Sequence, residues 1–489
     1  MNLERAAILV AAMIVFSASG TGAVAQEQHV DLDVRLGRIE NGLLPQARVE
    51  GRTYQPQSLG EMMQLRNVPG LSVAVIDNGQ LAWARGYGLA DIASGRPVTP
   101  ETRFQAASIS KAVAAVGALD MVEDGLLDLD EPVNARLRSW TIPDGTAPGG
   151  AVTLRHLLGH TAGLTVHGFP GYAPGEPLPF LTEILDGAPP ANTGAVVVEA
   201  VPGVVWKYSG GGYTVLQLLM EETAGPFPAL LNDRVLEPFG MLHSTFEQSD
   251  PVPDFASRAT AYKHDQTPVL GGAHLYPEMA AAGLWTTPTD LARWAVGLMD
   301  AWSGRSVAVL NQETARMMMT PGLGGWGLGL AVKGEGDRLE FTHGGANEGF
   351  RALVLGFPER GQGIVIMTNS DAGMSVGVPL LQAVAAEYGW PGYGPVMITP
   401  VAVTPQQLAD VSGVYAEAGG QVEVRPSATG DSLEVLVSNG MRLELVPVGD
   451  DVYADIDAGG RSRFERDADG KVVAFNPGFA RFARVTLAP

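Results

Sequence analysis

The stretch FQAASISKAVAAVGALD, residues 104–120, decides how the rest of the chain is interpreted. Ser108 and Lys111 stand three residues apart at the start of an apolar, alanine-rich run that predicts a buried helix. In the simplest interpretation the serine caps the helix, and the lysine lies at an edge where its long stem lets the charge reach water. Residues three apart also share a helix face, so the lysine amine would lie beside the serine hydroxyl.

That pair has the parts of an activated nucleophile. A serine hydroxyl reacts poorly until a nearby base takes its proton. Burial would lower the pKa of the Lys111 amine and make its neutral, basic form available. The helix N-terminus also favours negative charge on the Ser108 oxygen. A short S-x-x-K pattern is weak by itself, so its meaning depends on the other motifs of the chain.

Two further segments carry groups suited to the same chemistry. In PGVVWKYSGGGY, residues 202–213, Tyr208 precedes a glycine run that opens an apolar helix. A phenol can act as base or proton shuttle if neighbouring cations stabilise the phenolate. In EFTHGGANEGF, residues 340–350, an apparent strand carries His343, Gly344 and Gly345, and paired glycines would let a substrate approach the backbone. Seen alone, these would be a core tyrosine and a glycine-kinked strand.

Other candidate sites are weaker. His156 and His160 are four apart, but Leu157 stands where a metalloprotease helix needs glutamate, so both histidines are interpreted as structural. GMSVG, residues 373–377, matches the nucleophile elbow G-x-S-x-G, in which a catalytic histidine follows the serine. No histidine follows His343 in the sequence, so Ser375 lacks its base. The absence of cysteine excludes disulfides and thiolate catalysis.

Taken in order, these segments resemble the serine β-lactamase and penicillin-binding family, specifically its class C-like branch. The resemblance covers most of residues 40–390 and rests on many ordered matches. The matching segments, besides the three quoted above, are VPGLSVAVI (68–76), RGYGLAD (85–91), LLGHTAGL (157–164), LEPFGM (236–241) and AAGLWTTPTDLARW (281–294).

The resemblance implies specific roles. Ser108 would attack a carbonyl and form an acyl-enzyme, while Lys111 and Tyr208 move the proton and later activate water. The backbone N–H groups of Ser108 and Ala346 would form the oxyanion hole, which stabilises charge developing in the transition state. His343, Gly344, Gly345 and Gly210 would line the substrate site. No cofactor or metal is implied.

Two positions depart from the pattern of lactam-cleaving relatives. Their second motif is Tyr-x-Asn, and Gly210 stands here in place of the asparagine that would hydrogen-bond the substrate and the catalytic lysine. Their third motif is Lys-Thr-Gly, and His343 stands here in place of the lysine, so a permanent cation becomes an imidazole that is mostly neutral near pH 7. Relatives with histidine there look more like esterases, D-aminopeptidases and other D-peptidases.

The leading hypothesis is therefore an exported serine hydrolase that cleaves esters, small amides or D-amino-acid peptides. A β-lactamase or DD-carboxypeptidase is the alternative within enzymes. A penicillin-recognising binding or sensor protein, which acylates slowly or not at all, is the alternative from another class. The formal net charge of −21 argues against a nucleic-acid partner and against adhesion to an anionic membrane surface.

Composition and patterning predict the domain organisation. Residues 1–25 have the short apolar core and Ala23-Val24-Ala25 ending of a signal peptide, which predicts cleavage after Ala25 and a periplasmic or secreted protein. The core is too short to span a bilayer, and no other run is long enough, so no membrane span is expected after cleavage.

The remaining chain is predicted to form two domains. Strands from both ends of residues 26–394 enclose a helical middle, which predicts an α/β (α+β) domain with an antiparallel sheet. A Pro-punctuated segment, residues 395–407, predicts a linker. Residues 408–489 contain some eight short alternating segments separated by glycine turns, which predicts a small antiparallel barrel, similar in pattern to the lipocalin-like barrel of some relatives.

Overall fold

A computed structural model describes residues 31–143, 145, 150–248, 257–417, 420–437, 442–456, 459–478 and 480–485. The predicted signal peptide lies outside these residues. The strands of the larger domain are β1 (Ala47–Val49), β2 (Gly70–Asp77), β3 (Gln80–Asp91), β4 (Arg96–Pro97), β5 (Phe104–Gln105), β6 (Trp285–Thr286), β7 (Ala331–Lys333), β8 (Glu340–Asn347), β9 (Phe350–Phe357), β10 (Gln362–Thr368) and β11 (Val396–Ile398).

The helices are α1 (31–40), α2 (Leu59–Leu65), α3 (Ile109–Glu123), α4 (Leu154–Leu158), α5 (Leu181–Asp186), α6 (Gly210–Ala224), α7 (Phe227–Leu231), α8 (Met279–Ala282), α9 (Pro288–Ser303), α10 (Gln312–Met318), α11 (Met374–Tyr388) and α12 (Pro405–Val411). The C-terminal strands are β12 (Gly413–Glu417), β13 (Gly420–Pro426), β14 (Leu433–Val437), β15 (Arg442–Gly449), β16 (Val452–Asp455), β17 (Arg461–Arg466), β18 (Val472–Asn476) and β19 (Phe482–Arg484).

A seven-stranded antiparallel sheet organises the larger domain in the order β4-β3-β2-β10-β9-β8-β7. The N-terminal strand β2 pairs with the C-terminal strand β10, with Val73 opposite Ile366. Both ends of the domain therefore meet in one sheet, and the helical middle lies between them in sequence. This confirms the predicted α/β class with an antiparallel sheet.

Each face of the sheet is covered by its own core. On one face, α3 packs among the helices of the middle region, and nearly every residue from Ile109 to Met121 is buried. On the other face, α1, α2 and α11 pack against Val73, Val75 and Ile364. A strand in the middle of such a sheet is buried on both sides, which explains why β2 is a continuous apolar run rather than an alternating one.

Local predictions differ from the structure in two places. The apolar stripe of Leu32, Val34, Leu36, Ile39 and Leu43 predicts a helix from about Asp31 to Leu44, whereas the helix spans residues 31–40 and is followed by a turn. The sequence predicts one strand over RLEFTHGGANEGFRALVLGFPE, residues 338–359, but this segment forms the hairpin β8–β9, in which Asn347 pairs with Phe350. Gly349 adopts a φ of 74° in this hairpin turn, a backbone region that glycine tolerates well.

The C-terminal strands β12–β19 form a closed antiparallel barrel, as the sequence predicts. Its core contains Tyr415, Phe464 and Phe475 together with Leu408 and Val411 of α12. The predicted linker 395–407 is more ordered than expected, because β11 pairs in parallel with β1 and α12 begins inside it. The exact domain boundaries remain a prediction.

The barrel meets the larger domain beside the β1–β11 pair. Ala47, Val49 and Ile398 form a small apolar cluster with Val446 and Ala454 of the barrel. Nearby, the Arg52 guanidinium forms ion pairs with Glu444 at 2.7 Å and Asp431 at 3.1 Å. Gln382 of α11 donates to the Gln46 carbonyl oxygen at 3.3 Å, so this junction lies beside α11.

Candidate active site

Ser108 lies at the N-terminus of α3, and its side chain is not used to cap the helix. It is the N-cap residue, but its hydroxyl makes no capping hydrogen bond to the helix. The residue before it, Ala107, has a φ of 50°, a left-handed conformation that costs energy in a residue with a Cβ atom. The chain therefore turns sharply into α3 at Ser108 and leaves this side chain partly exposed.

Lys111 lies one turn further along α3 and is 1% exposed. Its Nζ donates hydrogen bonds to Ser108 Oγ at 3.1 Å and to the Ala281 carbonyl oxygen at 2.7 Å. Burial lowers the pKa of this amine to about 7. The lysine does not reach water along its stem, so the simplest interpretation of the sequence fails, and a neutral amine lies within hydrogen-bond reach of the serine.

Tyr208 faces the same pair from the segment that precedes α6. Lys111 Nζ lies 5.0 Å from its ring centroid, and the Ser108 hydroxyl acts to lower the pKa of the phenol. Burial nevertheless raises the pKa of Tyr208 to about 12. The effect of the Ser108 hydroxyl does not offset the loss of solvent, so the phenol is protonated at neutral pH. It is suited to donate a proton, whereas Lys111 is suited to accept one.

Strand β8 forms the opposite wall of the site. A Cβ atom on Gly345 would lie 2.2 Å from the Ala106 carbonyl oxygen, so only glycine allows β8 to run this close to the segment before Ser108. Gly344 and Ala346 are exposed, while His343 and Gly345 are buried. The partner strand β7 pairs with residues 340–342 and not beyond, which leaves this edge of β8 open beside Ser108 in the described chain.

Asn347 holds this wall in register with the nucleophile. Its Nδ2 donates to Gln105 Oε1 at 2.8 Å and to the Ala282 carbonyl oxygen at 3.2 Å. Gln105 belongs to β5, just before Ser108, and Ala282 belongs to α8, whose Ala281 accepts from Lys111. One buried amide therefore connects three elements of the site.

Two histidines near Lys111 are neutral. His343 is 4% exposed, and burial together with the nearby Lys111 charge lowers its pKa to about 3. Its Nδ1 donates to the Gly344 carbonyl oxygen at 2.7 Å. Burial also holds the pKa of His160 well below its usual range, and His160 Nδ1 accepts from the Ser209 backbone N–H at 3.2 Å. Neither imidazole offers a substrate a permanent positive charge.

Gly210 is buried beneath residues 165–169, here called the wall loop. Three hydrogen bonds fix this loop on the start of α6: Gly210 N–H donates to His167 O at 3.1 Å, Gly211 N–H to Val166 O at 3.0 Å, and Ser209 Oγ to Thr165 O at 2.8 Å. The free N–H groups of the first helical turn are thus partly satisfied by the loop. The space beside Gly210 is filled rather than open.

Sequence reasoning missed two tryptophans of the site. Trp326 lies 5.8 Å from the Tyr208 ring and 5.4 Å from the His343 ring, measured between centroids, and Trp206 lies 5.7 Å from Trp326. Trp206 is two residues before Tyr208 in the quoted motif, which was the available signal. Trp326 stands in a glycine-rich segment, and only the fold brings it here.

Of the weaker candidates, His160 is part of the site, with its ring 4.2 Å from the Tyr208 ring between centroids, whereas His156 and Ser375 lie elsewhere. His156 accepts a hydrogen bond from the Thr153 backbone N–H at the start of α4, a structural role. Ser375 belongs to α11, on the far face of the sheet from Ser108, and its hydroxyl donates to the Ala372 carbonyl oxygen. Among the residues described, no group of three His, Asp or Glu side chains is placed to hold a metal ion. None of the described helices is long and apolar enough to cross a membrane.

Comparison with known proteins places this geometry in a family. A family model described as Beta-lactamase matches residues 57–387. The putative penicillin-binding protein PbpX of Bacillus subtilis is 26% identical over 299 residues, which are 60% of this chain and 68% of that protein. Esterase EstB of Burkholderia gladioli is 31% identical over 205 residues, which are 39% of this chain and 50% of that protein.

Among solved structures, the octameric penicillin-binding protein homologue from Pyrococcus abyssi is similar with a TM-score of 0.57. The superposition covers 87% of this chain and 98% of that chain at 22% sequence identity, so the likeness concerns the fold alone. The match to this chain spans between half and about two thirds of the length of the two curated relatives.

Proposed function

Because this chain belongs to the Beta-lactamase family of serine hydrolases and penicillin-binding proteins, we propose that it hydrolyses small esters through an acyl-enzyme on Ser108. The observation that carries the proposal is the hydrogen bond of 3.1 Å between the buried Lys111 amine and Ser108 Oγ. A base with a pKa of about 7 is half neutral at the pH at which it must work.

The first step is attack of Ser108 Oγ on the ester carbonyl. The serine proton passes to the neutral Lys111 amine as the Oγ–carbon bond forms. Negative charge develops on the carbonyl oxygen, which is held by the backbone N–H groups of Ser108 and Ala346. Support for this oxyanion site is the close contact of Gly345 with Ala106, which brings β8 beside the start of α3.

The second step is loss of the alcohol. Tyr208, protonated because its pKa is about 12, donates its proton to the leaving alkoxide and regains one from the Lys111 ammonium. Water then attacks the acyl-enzyme, Lys111 takes a proton from that water, and Ser108 is released with its proton restored. The phenol and the amine therefore divide the proton transfer between them.

The substrate class follows from what the cleft lacks. Position 343 carries a buried neutral imidazole, and position 210 carries no amide. Compared with a site that has lysine at position 343 and asparagine at position 210, a β-lactam carboxylate loses a charge-assisted contact worth about 1.5–3 kcal/mol. The acyl amide of the β-lactam also loses a hydrogen bond. A small ester needs neither contact, and an alcohol leaves more readily than an amine. EstB, a relative named as an esterase, favours the same assignment.

Export is part of the proposal. Its support is the apolar segment 6–16 followed by Ala23-Val24-Ala25, the pattern of a secretory signal. The substrate is then a small ester met outside the cytoplasm.

The test compares purified protein on p-nitrophenyl acetate, a D-aminoacyl p-nitroanilide and a chromogenic cephalosporin. We expect kcat/KM to be highest for the ester by at least tenfold. Faster turnover of the cephalosporin would establish the β-lactamase alternative. Stoichiometric acylation by penicillin without turnover of any substrate would establish the sensor alternative.

A further inference from the structure

The wall loop does more than fill space beside Gly210. A Cβ atom on Gly210 would lie 2.9 Å from Phe169 Cε2 and 3.0 Å from the His167 carbonyl oxygen. The Phe169 ring therefore occupies the volume that a side chain at position 210 would take. The ring is only half buried, so part of it stays accessible beside the Tyr208–Gly210 segment.

The wall loop is held in place by its surrounding contacts. Val166 has a φ of 61°, which is unfavourable for a β-branched residue and persists only where surrounding contacts enforce it. Beyond the loop, Tyr172 and Leu275 exchange two backbone hydrogen bonds of 2.9 and 2.8 Å. Tyr276 Oη donates to the Pro170 carbonyl oxygen at 3.3 Å. Together with the hydrogen bond from Ser209 Oγ to the Thr165 carbonyl oxygen, these contacts hold both ends of the loop.

The wall loop lies close to the reacting serine. Lys111 Nζ, which donates to Ser108 Oγ, lies 5.0 Å from the Tyr208 ring centroid, and the His167 ring lies 4.9 Å from the Tyr208 ring between centroids. The acyl group stays bonded to Ser108 between the two steps, so it needs a fixed, partly apolar surface. The alcohol leaves to solvent and needs none.

We propose that Phe169 determines substrate size by limiting the acyl group of the ester to short chains. This inference rests on the proposed function, because it concerns the acyl pocket of the same site. Phe169 is a specificity-determining residue that contacts the acyl chain. The loop residues around it fix the ring by backbone hydrogen bonds to α6.

The test measures kcat/KM for p-nitrophenyl acetate, butyrate, hexanoate and octanoate with wild-type protein and Phe169→Ala. The wild type should prefer the shorter esters. Phe169→Ala should raise the octanoate-to-acetate ratio at least tenfold, since each methylene newly buried favours binding about fourfold. Phe169→Leu, which keeps more of the packing, should give an intermediate ratio. Phe180→Ala is the matched control, because Phe180 is an exposed phenylalanine outside the site.

Two further measurements distinguish failure of this inference from failure of the proposed function. If Phe169→Ala instead changes the dependence on alcohol length in a series of alkyl acetates, or leaves the acyl profile unchanged, the inference is overturned. If the wild type turns over no ester, the proposed function fails, and the inference is decided by labelling. In that case, the rate of Ser108 labelling by an octyl relative to an ethyl fluorophosphonate should still rise in Phe169→Ala, and an unchanged ratio would overturn it.

Discussion

The two sides of the cleft around Ser108 are built in different ways. On one side, Ser108 and Lys111 are three residues apart on α3, and their geometry follows from one helical turn. On the other side, Gly210 and Phe169 are more than 40 residues apart in sequence and meet only because the wall loop lies on α6. The reactive groups are fixed by local structure, whereas the shape of the substrate wall is fixed by tertiary contact. This difference suggests that the two sides can be altered independently.

The largest effect is expected from the proton-transfer side. Lys111→Ala and Tyr208→Phe should each lower kcat for p-nitrophenyl acetate by about 10²–10⁴-fold, because each removes a group that moves a proton in the transition state. Tyr208→Phe should be more harmful for an alkyl acetate, whose leaving alkoxide needs a proton more than p-nitrophenolate does.

Lys207→Ala is the matched control for Lys111. Lys207 is adjacent to Tyr208 in sequence, is partly exposed and forms an ion pair with Glu199. A partly exposed ion pair contributes little, so this variant should keep activity within about twofold. A Tyr208→Phe variant that retains most of its activity on both esters would remove the phenol from the mechanism.

The pH dependence should also follow the α3 side. The active form carries neutral Lys111, and burial places its pKa at about 7, so kcat/KM should fall about tenfold per pH unit below that value and level off above it. The pKa of Tyr208 is about 12, so no loss is expected on the alkaline side within the range where the protein is folded. A profile that is flat from pH 5 to pH 9 would contradict Lys111 as the base.

The smallest effect is expected from the wall side and concerns stability. Gly210→Ala places a Cβ atom 2.9 Å from Phe169 and 3.0 Å from backbone oxygen, so it should lower the free energy of unfolding by about 1–3 kcal/mol. Gly212→Ala, two residues on in the same helix, meets its nearest atom at 3.6 Å and should stabilise by about 0.5–1 kcal/mol. Thermal unfolding of the two variants checks this order. If Gly210→Ala is stabilising, the wall loop does not pack tightly against Gly210.

The same contrast explains what could be predicted from sequence. The apolar run of α3, the alternating barrel segments and the ordered motifs predict the fold, since each depends on periodicity within a short segment. The absence of an amide at position 210 is visible in the sequence, but the ring that replaces it is not. The buried state of His343 and the high pKa of Tyr208 likewise depend on packing by distant residues such as Trp326.

The connection between the domains shows the same limit. Proline and valine in residues 395–407 indicate a segment without helical periodicity, which is typical of a linker. Pairing of β11 with β1, some 350 residues earlier in the chain, orders its first part. Such pairing between distant segments leaves no periodic signal in either of them.

The most direct test of the central claim is to locate the reactive serine. Purified protein is treated with a fluorophosphonate probe and digested, and the labelled peptide is identified by mass spectrometry. The account predicts one label per chain, on Ser108, with faster labelling above pH 7 and none in Ser108→Ala. A label on Ser375, or labelling that persists in Ser108→Ala, would contradict it.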